Sequence, residues 1–146
     1  MDQKHLYYFA YGMLTDPNTM DHNEFLGRGK VNNYAFEFRY FANVIKSSGS
    51  HVFGSVWYIT KEELAYLDEV EGYPLMYTRV RVPVELEDGE TVIAEMYTMT
   101  EDTRERVGPA SPKTQYMNRL LSGYRHANIP ISQLETALHK LYQQEK

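Results

Sequence analysis

Two alternating runs joined by an Asp-Gly turn constrain the fold of this chain most strongly. In residues 77–86, apolar side chains recur at every second position, at Val80, Val82, Val84 and Leu86. Asp88-Gly89 is a dipeptide preferred in tight hairpin turns, and residues 91–99 alternate again. We therefore predict an antiparallel β-hairpin here. Because Pro83 lacks an amide hydrogen, its strand is expected at a sheet edge, or with Pro83 at an outward-facing bulge.

Three further strands are predicted upstream, over residues 5–12, 31–41 and 51–59. The first is an apolar run that ends in a glycine, which is typical of a buried strand, and the second alternates with a period of two. Gly54 lies inside the third and indicates a bulge or a close approach of another backbone. The segments between these strands are rich in turn residues and are predicted to be loops, at residues 15–29 and 47–50.

One helix is predicted between the third strand and the hairpin. Thr60 and Glu63 have the spacing of a capping box, which starts a helix, and Gly72 and Pro74 end it. After a charged, exposed segment at residues 101–108, two more helices are predicted to start at Ser111 and Ser132. This order of strands, helix, hairpin and helices is typical of an α+β fold rather than of repeated βαβ units.

The composition excludes several classes of function. The length of 146 residues predicts a single domain with one core. A formal charge of −5 without a basic cluster argues against nucleic-acid binding. The absence of cysteine excludes disulfides and thiolate chemistry and fits a cytoplasmic protein. No leader or membrane-length apolar run is present, so no membrane partner is expected. Thirteen tyrosines predict an aromatic core or a cavity lined by hydroxyls.

Few residues remain as candidates for chemistry. The five histidines are scattered without metal-ligand spacing, so no metal site is predicted. Nucleophile-elbow and phosphate-binding glycine patterns are also absent. The remaining candidates are the loop at Gly12 and the carboxylates at residues 68–71. Glu71 shares a helix face with Leu64 and Leu67. Either it points inward with them, or the helix frays near its end and Glu71 turns to solvent.

The residues just described resemble a known family, the γ-glutamylcyclotransferase-like superfamily. Residues 7–14, an aromatic strand followed by Tyr-Gly-x-Leu, resemble its first motif. Residues 53–58 and 67–74, followed by Tyr-Thr-Arg at 77–79, are similar to its second. The tail at residues 109–141 resembles that of the glutathione-degrading type. The order and spacing of these motifs make the match specific, although residues 15–50 match only loosely.

The resemblance implies a small mixed β-barrel with flanking helices and a cavity. It implies that a small-molecule γ-glutamyl compound is the substrate and that no cofactor is needed. The loop after the first strand is expected to bind the γ-glutamyl group with its backbone amides, and Glu71 is expected to be the catalytic acid/base. The substrate-binding residues that the resemblance implies are Tyr11, Gly12, Met13, Leu14 and Tyr116.

The chemistry agrees with this assignment. Release of 5-oxoproline uses the α-amine of the substrate as nucleophile, and a carboxylate can take its proton and later protonate the leaving amine. Burial would raise the pKa of Glu71 towards the working range. Asp68 is expected to pair with Arg79 or a backbone group, and Glu69 to face solvent. A direct pair between Arg79 and Glu71 would instead lower the pKa of Glu71 and argue against the base role.

One departure from the family pattern leaves two hypotheses. Met13 stands where serine or threonine is usual, and Leu14 replaces the asparagine that is common in the glutathione-degrading type. The first hypothesis is a cyclotransferase acting on a γ-glutamyl amine, amino acid or peptide. The second is a catalytically silent member that binds a small metabolite or a protein partner in the same cavity. The sequence leaves the leaving group and the oligomeric state open.

Overall fold

A closed five-stranded barrel forms the centre of the computed structural model, which describes residues 4–20 and 23–144. The strands are β1 (His5–Ala10), β2 (Glu24–Arg39), β3 (Phe41–Thr60), β4 (Tyr77–Leu86) and β5 (Thr91–Met99). They neighbour one another in the order β1-β3-β2-β4-β5. β1 pairs antiparallel with β3 and parallel with β5, which closes the barrel. The mixed barrel implied by the family resemblance is confirmed.

Four helices flank the barrel within the described residues: α1 (Lys61–Glu71), α2 (Glu101–Val107), α3 (Thr114–His126) and α4 (Ser132–Gln144). The Thr60 hydroxyl accepts a hydrogen bond from the Glu63 amide (3.1 Å), which caps α1 as predicted. Gly72, in the left-handed region at φ 69°, ends the same helix. None of the helices in the described part of the chain is both long and apolar enough to cross a membrane.

The apolar side chains form two clusters on opposite sides of β1. Phe9 and Tyr11 belong to the larger cluster, together with apolar residues of α3 and α4 such as Leu120 and Leu134. Tyr8 belongs to the second cluster, which holds Trp57 and Ile59 of β3 and Leu64 and Leu67 of α1. Alternate β1 side chains point to opposite faces of the sheet, so this one strand joins both clusters.

The β4–β5 hairpin and the tight approach at Gly54 are confirmed. Pro83 pairs with Ile93 across the hairpin, and β4 meets β2 only through the register pairs of Gly29 and Lys30 with Leu86 and Glu85. Pro83 therefore lies outside the β2–β4 pairing. At Gly54, an added Cβ would lie only 2.4 Å from the Ala10 carbonyl oxygen, so a larger residue would displace β1.

Three predicted boundaries were wrong. The strand ends are set by pairing with distant strands and by the turn at Gly12, which local sequence patterns do not show. β1 ends at Ala10 rather than at residue 12, since Gly12 enters a short 3₁₀ turn at Met13–Thr15. The predicted loop at 15–29 contains the start of β2, and the one at 47–50 lies within β3. In β3, residues 47–50 bulge opposite Asn33, so the turn residues are absorbed without interrupting the strand.

The structure adds one helix after the hairpin and moves the start of another. The segment at 101–108 is mostly exposed, as predicted, and it forms α2, in which the Thr103 amide donates a hydrogen bond to the Thr100 hydroxyl oxygen. The helix expected from Ser111 begins at Thr114 instead, with Lys113 as its N-cap residue. Acidic residues in the first turn of α2 and basic residues in its last turn suit the helix dipole, which explains why so polar a segment is helical.

Helix α3 packs directly on the turn that follows β1, and Gly123 makes this contact possible. A Cβ at Gly123 would lie 2.4 Å from the Thr15 hydroxyl oxygen and 3.0 Å from the Asp16 amide nitrogen. Thr15 itself is completely buried. The separation between α3 and the turn therefore depends on the absence of a side chain at position 123.

We predict that Gly123→Ala lowers the free energy of unfolding by about 1–3 kcal/mol, because the added methyl group must push Thr15 or α3 out of place. Chemical denaturation of the variant and the wild type measures the difference. Ser122→Ala, one residue away on the same helix, is the matched control and should change stability far less. Equal stability of Gly123→Ala and wild type would show that the contact is not tight in solution.

Candidate active site

The turn after β1 is held through its carbonyl oxygens. The Tyr124 hydroxyl donates a hydrogen bond to the Tyr11 carbonyl (2.7 Å), and the Thr15 hydroxyl donates to the Gly12 carbonyl (2.8 Å). In a trans peptide unit the C=O and the following N–H point in opposite directions. The Gly12 and Met13 amides therefore point away from Tyr124 and Thr15.

Two further bonds anchor the second half of this turn to β3. The Trp57 indole donates to the Leu14 carbonyl (3.1 Å), and the Ser55 hydroxyl donates to the Thr15 carbonyl (2.6 Å). The partly buried Leu14 side chain packs against the second apolar cluster. The Leu14 carbonyl and most of its side chain are therefore engaged with the protein, and the turn is attached to β3 through both of these bonds.

Glu71 is the last residue of α1 and lies one turn beyond the buried Leu67. Its side chain is partly buried, so it follows the inward face of the helix. Of the two placements open from the sequence, the structure favours the inward one. The carboxylate sits at the carbonyl end of α1, where the helix dipole disfavours a negative charge.

Four tyrosines lie within electrostatic range of Glu71: Tyr8 in β1, Tyr11 in the turn that follows it, Tyr77 in β4 and Tyr116 in α3. Burial and the charge of Glu71 together raise the pKa values of Tyr8, Tyr11, Tyr77 and Tyr116, the last to about 12. All four phenols are therefore neutral hydrogen-bonding groups at physiological pH. Within the described residues, the groups that act on Glu71 in this way are neutral hydroxyls, and no cation forms an ion pair with its carboxylate.

Ala42, near the start of β3, links these tyrosines to the turn. Its amide donates a hydrogen bond to the Tyr116 hydroxyl oxygen (2.9 Å), and its carbonyl accepts one from the Tyr77 hydroxyl (3.0 Å). A Cβ built on Gly12 would lie 3.3 Å from the Ala42 Cβ and 3.5 Å from the Tyr116 hydroxyl. The charge of Glu71 contributes to the raised pKa of Tyr116, so Glu71 lies within electrostatic range of the tyrosine that packs beside the Gly12 turn.

Arg79, the cation that the sequence offered as a possible partner for Glu71, is occupied elsewhere. It forms an ion pair with Asp68, as predicted, and its Nε lies 3.6 Å from a Glu95 carboxylate oxygen. Its guanidinium group also lies 4.8 Å from the centre of the Tyr73 ring. Within the described residues, no hydrogen bond or ion pair reaches the Glu71 carboxylate.

Burial without a compensating cation raises the pKa of Glu71 from 4.5 to about 7. At neutral pH the carboxyl group is then present in both its protonated and its ionised form. Such a group can accept a proton in one step and return it in the next. The electrostatics of the site therefore permit general acid and base chemistry by the same side chain.

A groove of about 520 Å³ adjoins the site and is lined by Met13, Lys113, Gln115, Tyr116, Asn118 and Arg119. Glu71 is not among its lining residues, but Tyr116 borders both. The charged side chains of the groove, Lys113 and Arg119, are both cationic. A separate cavity of about 370 Å³ lies between the barrel and α4, away from Glu71.

The implied substrate-binding residues Tyr11, Gly12, Met13, Leu14 and Tyr116 lie close together in the structure, and they offer different groups to a ligand. Tyr11 uses its hydroxyl for the Tyr97 carbonyl (2.7 Å), so only its backbone is available. The side chain of Met13 lines the groove. Sequence reasoning gave Tyr8 and Tyr77 no role, although both lie in stretches that resemble the family motifs. They come from separate strands, and the sequence does not show which strand side chains come near Glu71. The high tyrosine content, which predicted an aromatic core or a cavity lined by hydroxyls, was a further signal.

No cluster of three or more histidine or acidic side chains able to hold a metal ion occurs in residues 4–20 and 23–144. His22, one of the five scattered histidines, lies outside the described residues.

Comparison with known proteins agrees with the fold and with the motifs. Residues 8–118 match the family model described as gamma-glutamyl cyclotransferase, AIG2-like. The chain is 30% identical to human gamma-glutamylcyclotransferase over 95 residues, which are 64% of this chain and 48% of that protein. It is 29% identical over 98 residues to a putative gamma-glutamylcyclotransferase of Methanocaldococcus jannaschii, covering 62% of this chain and 82% of that protein. The chain spans about half the length of the mammalian relatives that it matches.

Solved structures show the same architecture at lower identity. A gamma-glutamyl cyclotransferase structure superposes with a TM-score of 0.76 at 22% identity, over 92% of this chain and 86% of that one. YkqA from Bacillus subtilis gives the same TM-score and identity, over 94% of this chain and 54% of YkqA. These likenesses show that the barrel and its helices form a shared fold.

The raised pKa of Glu71 predicts a specific dependence of stability on pH. A folded-state pKa of about 7 exceeds the ordinary 4.5, so folding favours the protonated form, and stability falls as pH rises between these values. From about pH 5 to about pH 8, we expect the free energy of unfolding of Glu71→Gln to rise by about 1–2 kcal/mol relative to that of wild type. This is less than the whole pKa difference would give, because the carboxyl group is partly exposed. Chemical denaturation at both pH values measures this. Glu69→Gln, which changes an exposed carboxylate, should have the same stability as wild type at both pH values. If the stability difference between Glu71→Gln and wild type were the same at both pH values, the raised pKa would be contradicted.

Proposed function

Since the chain belongs to the gamma-glutamyl cyclotransferase, AIG2-like family, we propose that it is a cofactor-independent cyclotransferase that releases 5-oxoproline from a γ-glutamyl compound. The observation that carries the proposal is the Glu71 carboxyl group. It is partly buried, has no cationic partner among the described residues, and has a pKa of about 7. A general acid/base works best when its pKa lies near the working pH.

The proposed reaction needs one proton shuttle and no protein nucleophile. Ionised Glu71 takes a proton from the substrate α-amine, whose nitrogen then attacks the γ-carbonyl carbon. A new C–N bond closes the five-membered lactam, and the original C–N bond to the leaving amine breaks. Glu71 returns its proton to the nitrogen of the departing amine, so the carboxylate is restored at the end of the cycle.

The turn after β1 supports this reaction as the proposed site for the γ-glutamyl carbonyl. Negative charge develops on the carbonyl oxygen during attack, and backbone amides placed in advance stabilise such charge. The Gly12 and Met13 amides point away from the protein side of the turn, as the bonds to the preceding carbonyls require. Tyr116 keeps its own proton free to donate, because its hydroxyl oxygen accepts from Ala42.

The groove beside Met13 and Tyr116 favours a leaving group that carries a carboxylate. Its charged side chains are Lys113 and Arg119, although the whole chain carries a net charge of −5. These cations would attract a carboxylate on the leaving group and would repel a further, protonated amino group such as that of a polyamine. Within the proposed reaction, a γ-glutamyl amino acid or peptide is therefore a better substrate than a γ-glutamyl derivative of a simple amine or polyamine.

A catalytically silent, ligand-binding protein is the second candidate, and Met13 is the observation that favours it. The family pattern has a serine or threonine at this position, and a methionine provides no hydroxyl for the substrate. The same cavity would then bind a small γ-glutamyl metabolite without turning it over. Assays of turnover and of binding on the same panel of compounds separate the two functions.

We predict that the wild-type protein forms 5-oxoproline from at least one γ-glutamyl amino acid or peptide, and that Glu71→Gln lowers kcat by about a hundredfold or more, as expected when a general acid/base is lost. Chromatographic detection of 5-oxoproline measures both rates. Glu69→Gln changes an exposed carboxylate on the same helix and should retain wild-type activity.

The possible outcomes decide between the two candidates. If Glu71→Gln produces 5-oxoproline as fast as wild type, Glu71 is not the acid/base and the mechanism fails. If no compound is turned over but one raises the melting temperature of the protein, the ligand-binding function is correct, since a ligand that binds only the folded state stabilises it.

We expect Arg119→Gln to weaken the preference for leaving groups with a carboxylate. The test compares kcat/KM for γ-glutamylalanine and γ-glutamylethylamide, which differ in the leaving-group carboxylate. For the variant, we predict about a threefold to tenfold loss on γ-glutamylalanine, because an exposed ionic contact contributes about 1 kcal/mol, and little change on the ethylamide. Arg125→Gln, on the same helix but outside the groove lining, is the control. Equal losses on both substrates would show that Arg119 does not contact the carboxylate.

A further inference from the structure

Gln133, near the start of α4, bonds to both backbone groups of one β3 residue. Its side-chain oxygen accepts a hydrogen bond from the Phe53 amide (2.8 Å), and its side-chain nitrogen donates to the Phe53 carbonyl (2.9 Å). A backbone N–H can only donate, so the oxygen of the carboxamide must face the Phe53 amide. The orientation of the Gln133 side chain is therefore fixed, with its nitrogen as a donor.

The same nitrogen of Gln133 also reaches the Tyr124 hydroxyl on α3. It donates a hydrogen bond to the hydroxyl oxygen over 3.0 Å. Tyr124 is completely buried, and its hydroxyl has a single proton to donate. Because the carboxamide nitrogen cannot accept that proton, the hydroxyl donates it to its other partner, the Tyr11 carbonyl oxygen, at 2.7 Å. Gln133 thus sets the direction of the bond that Tyr124 makes to the turn after β1.

The Tyr11 carbonyl belongs to the same peptide unit as the Gly12 amide. This unit is planar and trans, so a carbonyl held towards Tyr124 keeps the Gly12 N–H on the opposite side. Glycine permits a wide range of backbone conformations because it has no Cβ. The bond from Tyr124 therefore restricts a peptide plane that a glycine leaves free to rotate.

We propose that Tyr124 is a positioning residue that holds the Gly12 amide in the direction needed to bind the γ-glutamyl carbonyl oxygen, and that Gln133 fixes the direction of the Tyr124 proton. This inference rests on the proposed function, in which that amide stabilises the charge developing on the carbonyl oxygen. It adds two residues, on α3 and α4, that act on the reaction through one peptide plane and not by touching the substrate.

The first test is Tyr124→Phe, which removes only the hydroxyl. For a γ-glutamyl substrate that wild type turns over, we expect kcat to fall by about tenfold or more and KM to change by less than about threefold, because the amide binds most strongly to the charge of the transition state. A hydroxyl that only attached α3 to the barrel would lower the melting temperature and leave kcat of the folded protein unchanged.

Ile59→Val is the control for lost stability. Ile59 is completely buried in the other apolar cluster, so this variant should also have a lower melting temperature, yet it should keep the kcat of wild type. All rates are measured well below the melting temperatures of the variants. Wild-type kcat in Tyr124→Phe would overturn the inference.

The second test reverses the direction of the bond at Tyr124. In Gln133→Glu, an ionised carboxylate of the same shape should draw the Tyr124 proton away from the Tyr11 carbonyl, because a charged acceptor binds a proton donor more strongly. We expect kcat to fall as in Tyr124→Phe, although the hydroxyl is still present. Gln133→Leu loses the same donor but offers no acceptor, so its kcat should fall less. Equal kcat values for the two variants would overturn the role given to Gln133.

A third measurement needs no turnover. The NMR signal of the Gly12 amide responds to the hydrogen bond at the preceding carbonyl, so it should shift or broaden in Tyr124→Phe and stay in place in Ile59→Val. An unchanged signal in Tyr124→Phe would overturn the inference, even if kcat fell. If wild type turns over no γ-glutamyl compound, the cyclotransferase proposal fails, and this signal alone decides whether Tyr124 holds the Gly12 amide.

Discussion

The parallel pairing of β1 with β5 is the contact on which the rest of the structure depends. It joins Tyr7 to Ala94 and Tyr8 to Glu95, while the other edge of β1 pairs with β3. β1 therefore lies between two strands, with one face towards the larger apolar cluster and the other towards α1. The turn that follows β1 inherits this rigidity, because its carbonyls bond to Tyr124 and to residues of β3.

The charge pattern around α1 separates a structural ion pair from the candidate chemistry. Arg79 is bound by Asp68 and Glu95 and covered by the Tyr73 ring, so its charge is neutralised away from Glu71. Asp68 also accepts a hydrogen bond from the Tyr97 hydroxyl (2.6 Å). Asp68 and Glu71, three residues apart on α1, therefore lie in different environments. Asp68 is paired with a cation and stabilises the fold, whereas burial without a cationic partner raises the pKa of Glu71.

Errors in the predicted boundaries have a common physical cause. Glycine and serine indicated loops at 15–29 and 47–50, yet both segments contribute to long strands. Gly27 lies at a shift in register at φ 98°, and residues 47–50 bulge opposite Asn33, so pairing continues on either side. Local propensity is a weak prior when strands distant in sequence supply the hydrogen bonds. The signals that were correct, the capping of α1 and the β4–β5 hairpin, depend on residues close in sequence.

The sequence by itself determined the α+β class, the hairpin, the helix that carries Glu71 and the inward face of that helix, because periodicity and capping act over a few residues. The family motifs added the barrel and the turn at Gly12. Only the tertiary structure decided that Arg79 pairs with Asp68 and Glu95 rather than with Glu71, and that Ala42 joins Tyr77 to Tyr116. These facts depend on groups that are far apart along the chain and meet only when the barrel closes.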